Sequence, residues 1–307
     1  MSTFKSRLRK ALPQSAIERL RFMLVTLPRL PEAAFTRRVF LAAPRAPAYL
    51  EYQDLERLQH RYPAATEYGY GHDAVEQRGA ERCTQLLRLP GATTAHRFLE
   101  LGCWDGMVSA ALCAEQKDAT ALDSRSDGFD ERARRSGVKL MQMDAAALNF
   151  PDNSFDFVFS YDAFEHFPSP DRVLQEALRV ARPGAHVYLE FGPLYFAPYG
   201  EHAYRTIRVP YCQFLFSRTT LNEYSDKAGL ERINFHDVNR LSLHDYRAIW
   251  QRCASVAERV HYIETADLSH LALVREYPSC FRSKSDDFEN FTVSSISVLL
   301  RKKATAS

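Results

Sequence analysis

The sequence has almost no excess charge. Against 40 Lys plus Arg stand 38 Asp plus Glu, a formal +2 over 307 residues, which excludes a protein built to coat a polyanion. No Cys-x-x-Cys pair occurs among Cys83, Cys103, Cys113, Cys212, Cys253 and Cys280, and no histidine stands at ligand spacing beside them. A disulfide framework or structural zinc is therefore not expected, no metal is assigned, and a reducing cytoplasm is the default compartment. No apolar run approaches the roughly 18 residues needed to cross a bilayer. Charge also interrupts Met1 to Leu30 too often for a signal peptide. Repeats and low-complexity segments are missing as well. With 46% hydrophobic and 25% charged residues, disorder and fibre are excluded, and there is enough apolar material for a core.

The charge that is present is unevenly placed. Residues 1–45 hold ten Lys and Arg against Glu18 and Glu32, a net +8, which leaves the remainder at −6. Phe4, Leu8, Leu12, Ile17, Leu20 and Leu24 recur at three- to five-residue steps, and Ser15 with Glu18 makes a capping-box start, so a basic amphipathic helix is expected over 4–27. Pro28, Pro31, Pro44 and Pro47 then read as a connector, with helices following at about 48–61 and 73–88. Residues 1–90 are thus expected to form a helical extension, and 91–307 the catalytic domain.

From Pro90 short apolar runs alternate with helical segments, the pattern of a parallel sheet covered by helices. Expected strands are Arg97–Leu101, Ala119–Asp123, Val138–Met143, Phe155–Tyr161, Ala185–Gly192 and a last one at Thr292–Arg301. Helices are expected near 106–116 and 170–181, the second stopped by Arg182-Pro183-Gly184. An α/β doubly wound sheet is the economical solution. Beyond Gly192 an aromatic stretch and helices near 219–229, 243–256 and 267–276 suggest a cap within about 193–285.

The sharpest motif is Phe98-Leu99-Glu100-Leu101-Gly102-Cys103-Trp104-Asp105-Gly106, an apolar strand that ends in an acid and runs through two glycines into a helix. Glycines there let backbone approach a ligand, and the helix start offers free N–H groups. A nicotinamide fingerprint would need G-x-G-x-x-G, which this segment does not supply. Asp123, 21 residues after Gly102 at the end of the next strand, can accept from both ribose hydroxyls. Asp144, after the third strand, can accept from an exocyclic amino group such as that of adenine.

These segments, with Phe150-Pro151-Asp152-Asn153-Ser154-Phe155-Asp156, Glu165-His166 and Leu174 to Gly184, resemble the class I S-adenosylmethionine-dependent methyltransferases, and most of all the type 11 methyltransferase domain. The likeness covers about residues 95–192. It implies a seven-stranded Rossmann-like sheet with a reversed last strand and S-adenosyl-L-methionine as cofactor. It assigns Glu100, Gly102 and Gly106 to the methionine-end loop, Asp123 to ribose, and Asp144 with Ala145 to adenine. Cys103, Trp104 and Tyr161 complete the candidate cofactor set. Trp104 replaces the family's usual middle glycine, and a negative φ would let it serve there.

Methyl transfer asks a protein chiefly for positioning and for removal of a proton from the acceptor. His166, after strand four, and His202, after strand five, are the candidate bases. Each also has a plainer reading, His166 as a capping or cofactor-side residue and His202 as a surface-loop residue. Tyr195, Phe196, Tyr199, Tyr204, Tyr211, Phe214 and Phe216, with Arg205 and Arg208, suit a lid over a small molecule or sugar, and equally the core of the cap. The expected reaction is O-methylation of a small molecule or glycan. N- or C-methylation and a non-catalytic cofactor-binding scaffold are the alternatives. The basic first helix could rest on the inner face of an anionic membrane, as well as on its own domain or on a partner. No nucleic acid is expected, because the module carrying the site is net acidic and has no recognition motif.

Overall fold

A computed structural model describes residues 22–63, 69 and 71–304. Its seven strands are β1 (Arg97–Leu101), β2 (Asp118–Asp123), β3 (Lys139–Gln142), β4 (Phe155–Tyr161), β5 (Ala181–Phe191), β6 (Ala257–Ala266) and β7 (Val293–Lys302). They lie in the order β3-β2-β1-β4-β5-β7-β6, with β7 alone antiparallel to its neighbours. The chain works outward from β1 to β3 and then returns to the other side of β1 as β4. That reversal opens a crevice at the carboxyl ends of β1 and β4, where ligands of doubly wound sheets bind.

The central strands are apolar on both faces because helices cover both. Phe98 and Phe157 share one face with Cys83 and Leu86 of α3 (His72–Leu86) and Val108 and Leu112 of α4 (Met107–Ala114). Leu99 and Val158 face the other way, toward a layer that includes Val173, Leu174, Ala177 and Leu178 of α6 (Pro170–Val180). The short α5 (Glu131–Arg135) precedes β3. Pro170 opens α6 at a position whose N–H has no helical partner in any case. Arg179 then ties α6 to the 148–152 loop, donating to the carboxylates of Glu176 and Asp152 and to the carbonyls of Leu148 and Phe150.

A second apolar core lies beyond the sheet. Phe40 of α1 (Leu30–Ala42) and Leu55 and Leu58 of α2 (Tyr52–Arg61) join Tyr211, Phe214, Phe216, Phe281 and Phe291. Around them are α7 (Cys212–Leu215), α8 (Arg218–Lys227), α10 (Leu271–Glu276) and α11 (Pro278–Arg282), while α9 (Leu243–Arg252) belongs to the sheet's own core.

Several expectations change. The Pro28–Pro47 connector contains a three-turn helix, α1, because Pro31 sits in its first turn where proline is tolerated. β6 was not expected. It is an edge strand, exposed at residues 258–260 and only half-buried over 261–266, so its residues show no buried, alternating face to read. The helix expected over 243–256 accordingly stops at Arg252. β5 begins at Ala181, directly after α6, with a pairing irregularity where a turn was expected at Arg182-Pro183-Gly184. The helix expected over 4–27 falls mostly outside the described residues. Its last part is a π-turn at Phe22–Thr26, followed by a 3₁₀ turn at Leu27–Arg29.

Candidate active site

Two glycines shape the loop after β1. Gly102 has φ +70°, and a Cβ there would stand 2.5 Å from Cβ of Ala163 in the loop after β4. Gly106, at φ +76°, is the N-cap of α4. Both positions need glycine, the first for close approach as well as conformation. The N–H groups of Gly102 and Cys103 both donate to the Leu122 carbonyl, at 2.9 and 3.0 Å, so the loop is sewn to the end of β2.

Asp123 continues that seam. Its Oδ2 accepts from the Trp104 N–H at 2.9 Å and its Oδ1 from the Arg125 N–H at 3.2 Å. Each oxygen keeps lone-pair capacity for a further donor. Trp104 departs from expectation, because its φ is +46°, the left-handed region, rather than negative. The indole lies against Gly128 and beneath the Arg125 guanidinium, beside the loop that follows β2, and remains half-exposed. Asp144 follows β3 with its Oδ1 accepting from the Ala146 N–H at 2.8 Å, its side chain exposed beside buried Ala145.

Glu100 is only 3% exposed, with one oxygen accepting from both the N–H and the hydroxyl of Ser109 on α4, at 3.2 and 2.6 Å. Burial pushes its carboxyl up to about 8, against the pull of the Ser109 hydroxyl. Tyr161 is buried at the end of β4, and the Arg82 guanidinium of α3 lies over its ring and pairs with Asp162. Arg78 of the same helix reaches Asp105 at 3.1 Å. Two arginines of the amino-terminal helices thus border the crevice.

A different set of side chains meets at the ends of β4 and β5. Glu165 is 1% exposed, its Oε1 accepts from the Gly192 N–H at 2.9 Å, and its Oε2 is buried without a hydrogen-bond partner among the described residues. Burial raises its carboxyl to about 7, with His166 opposing. The His166 and His202 rings stand edge to face, centroids 4.9 Å apart. His166 Nδ1 donates to the Asp237 carbonyl at 2.6 Å, and His202 Nε2 donates to the Pro193 carbonyl at 3.1 Å. Since a carbonyl only accepts, His166 Nε2 and His202 Nδ1 keep their lone pairs in the neutral rings. Burial, and then His166, lower His202 to about 4. The Asp237 carboxylate stands 3.7 Å from His166 and 3.8 Å from His202.

Asn239 fixes this group in place. Its N–H donates to the Glu165 carbonyl, and its side-chain amide donates to the carbonyls of Phe164 and Phe167. Asp237, Asn239, Arg82 and Asp162 were not singled out in the sequence. Asp162 adjoins the Glu165-His166 motif, whereas the 237–239 loop has no signal of its own. The aromatic stretch divides as well. Tyr211, Phe214 and Phe216 are cap core, with the Tyr211 hydroxyl donating to the Phe291 carbonyl, while Tyr195, Phe196 and Tyr199 are partly exposed.

Residues 99–189 match the family model described as a methyltransferase domain. A fatty-acid O-methyltransferase of Mycolicibacterium smegmatis is 37% identical over 113 residues, 35% of this chain and 41% of that protein. The 27-O-demethylrifamycin SV methyltransferase of Amycolatopsis mediterranei is 27% identical over 218 residues, 66% of this chain and 78% of that one. Phosphoethanolamine N-methyltransferase 2 of Caenorhabditis elegans is 29% identical over 226 residues, 66% and 48% of the two chains. The chain therefore spans less than half the length of the first and third of these relatives. The matched domain, the sheet order and the glycine loop together support a class I S-adenosylmethionine-dependent methyltransferase domain over residues 99–189.

Proposed function

We propose that this chain transfers the methyl group of S-adenosylmethionine to a hydroxyl oxygen of a small molecule or glycan. The observation that carries the reading is the close approach of Gly102, in the glycine loop, to Ala163 and Phe167 on the loop after β4 that also bears His166, itself packed on His202. The residues fit the cofactor. Gly102 and Gly106 bring backbone close, Asp123 keeps acceptor capacity for ribose hydroxyls, Asp144 is open for an adenine amino group, and the Trp104 indole is turned aside onto Gly128. When bound, the cofactor supplies an electrophilic methyl group.

The remaining work belongs to the protein. Glu100, Cys103 and Tyr161 wall the methionine end, while Asn239 holds the Glu165-His166 loop through the carbonyls of Phe164, Glu165 and Phe167, and Glu165 itself ties the loop to Gly192 after β5. His166 Nε2 takes the acceptor's proton, and the Asp237 carboxylate stands 3.7 Å from the ring's Nδ1. His202, neutral and largely buried, positions the acceptor. Two of the three relatives above are named for O-methylation and the third for N-methylation, so acceptor nitrogen is the alternative within enzymes. A non-catalytic cofactor-binding scaffold is the alternative outside them. Incubation with S-adenosylmethionine and libraries of hydroxylated lipids, sugars and phenols tests the reading. The expected result is cofactor consumption with an O-methylated product. Consumption only with amines, or none with any acceptor, overturns the hydroxyl assignment.

A specific observation favours peripheral contact of this cytoplasmic protein with the inner face of a membrane. Turned away from its buried residues Thr36 and Phe40, α1 and the turns before it expose Leu24, Leu27, Leu30, Phe35 and Leu41 beside Arg37 and Arg38. Apolar side chains flanked by arginines suit an anionic bilayer surface. Flotation with anionic but not neutral liposomes is expected, and should be lost when residues 1–27 are deleted and Phe35 and Leu41 are made Ser. Equal flotation of both forms, or of neither, rejects this contact.

A further inference from the structure

We infer that Glu165, His166 and His202 form a binding site for a divalent transition-metal ion, with zinc the fitting occupant, at the acceptor side of the crevice. One ligand atom from each of the three lies within 4.8 Å of the others. This rests on the methyltransferase reading for its role, but not for its existence.

Three observations beyond proximity point to a cation. The Glu165 Oε2 is buried and has no hydrogen-bond partner among the described residues, a costly state for a carboxylate that a cation would relieve. Each histidine also has one ring nitrogen tied to a backbone carbonyl, Asp237 O for His166 and Pro193 O for His202. That is how metal-ligating histidines are held, because the tied N–H fixes the ring and leaves the other nitrogen as ligand. Finally, the Asp237 carboxylate lies 3.8 Å from His202 Nδ1, so a second acid faces the group.

Two imidazoles and one carboxylate suit zinc or another first-row ion rather than magnesium or calcium, which prefer oxygen alone. With ligand bonds of about 2.0 to 2.2 Å, ligand atoms within 4.8 Å of one another would close in on the ion by small side-chain movements. Glu165, His166 and His202 all lie outside the strands, where such movement is allowed. Three protein ligands leave a coordination position open, the arrangement of catalytic rather than structural sites. An acceptor hydroxyl bound there becomes more acidic, and its proton passes to the Asp237 carboxylate or to solvent. With the ion bound, His166 and His202 act as ligands, and activation of the hydroxyl by the ion replaces the proton transfer to His166 that the ion-free site would perform. Sequence spacing gave no sign of the set, because adjacent Glu165 and His166 meet His202 only through the junction of β5 with the cap.

The test uses the full chain, freed of metal by chelator and titrated with zinc chloride by calorimetry. Cobalt(II) serves as the spectroscopic probe. One saturable zinc site is expected, with a visible cobalt band and no thiolate charge-transfer band, since the ligands are nitrogen and oxygen. Glu165→Gln, His166→Ala and His202→Ala should each weaken the site by more than about tenfold, while S-adenosylhomocysteine affinity is retained. Glu165→Gln keeps an acceptor for the Gly192 N–H, so it carries the test should a histidine variant fail to fold. Absence of a saturable site, or binding indifferent to all three variants, overturns the inference. Cofactor binding without zinc binding rejects the metal and spares the methyltransferase reading. Zinc binding without cofactor binding does the reverse.

Discussion

The two ends of the crevice are built in opposite ways. At the cofactor end, the acids come from residues 100–144, Glu100 within β1, Asp123 at the end of β2 and Asp144 just after β3, and they are engaged by nearby backbone N–H groups: Asp123 by Trp104 and Arg125, Asp144 by Ala146. At the acceptor end the groups come from residues 165–166, 192–193, 202 and 237–239, and a buried carboxylate oxygen and two ring nitrogens lack such partners. A site satisfied by its own backbone is pre-shaped for one constant ligand. A site with unspent polar capacity waits for a proton, an acceptor or an ion, and can be altered without disturbing the other.

The largest expected effect breaks that comparison at the acceptor end. Replacing His166 and His202 together by Ala should lower turnover by roughly 10²- to 10⁴-fold, with cofactor affinity close to wild type in calorimetry. A parallel loss of cofactor affinity would show the two ends to be one unit. Next comes Asp123→Ala, which removes ribose acceptors and the anchor of the Trp104 N–H. A loss of about 1.5 to 3 kcal/mol per charged hydrogen bond is expected in the same calorimetric titration. Unchanged affinity would mean that the acid does not hold the ribose.

Glu100 gives a third, pH-dependent effect. Its folded carboxyl is raised to about 8, so the folded state keeps a proton that the unfolded chain has lost, and stability falls as pH climbs from the ordinary carboxylate range toward 8. Glu100→Gln removes this dependence while keeping an acceptor for Ser109. The melting temperature of the variant relative to wild type should therefore rise between pH 5 and pH 8, by the equivalent of a few kcal/mol. A constant difference across that range would show Glu100 ionised in the fold. The smallest effect belongs to Trp104→Gly. It relieves a left-handed conformation costing about 1 to 2 kcal/mol, but the added freedom of the unfolded chain and the lost packing on Gly128 offset the gain. Cofactor affinity should move less than about threefold, a few tenths of a kcal/mol. A tenfold loss would place the indole against the cofactor.

Legibility in the sequence follows the same division. β1 and β4 fall at the expected residues because their apolar runs are buried on both faces and bounded by turn signals, and the cofactor loop reads directly because its parts are local. β6 and α1 do not. The first is an edge strand with no alternating buried face, and the second combines a proline start with apolar residues on more than one face. His166 and His202 could be named singly, but their meeting depends on how β5 enters the cap. Glu165, Asp237 and Asn239 complete the group through contacts between residues dozens of positions apart, and no spacing rule records those.

The most direct test of two separable ends is titration of S-adenosylhomocysteine into the wild type and into the His166→Ala, His202→Ala double variant. Saturable one-to-one binding of near-equal affinity in both is the predicted result. A folded wild type that binds no S-adenosylhomocysteine would contradict the methyltransferase assignment, and a double variant weakened more than about tenfold, or roughly 1.4 kcal/mol, would contradict the separation.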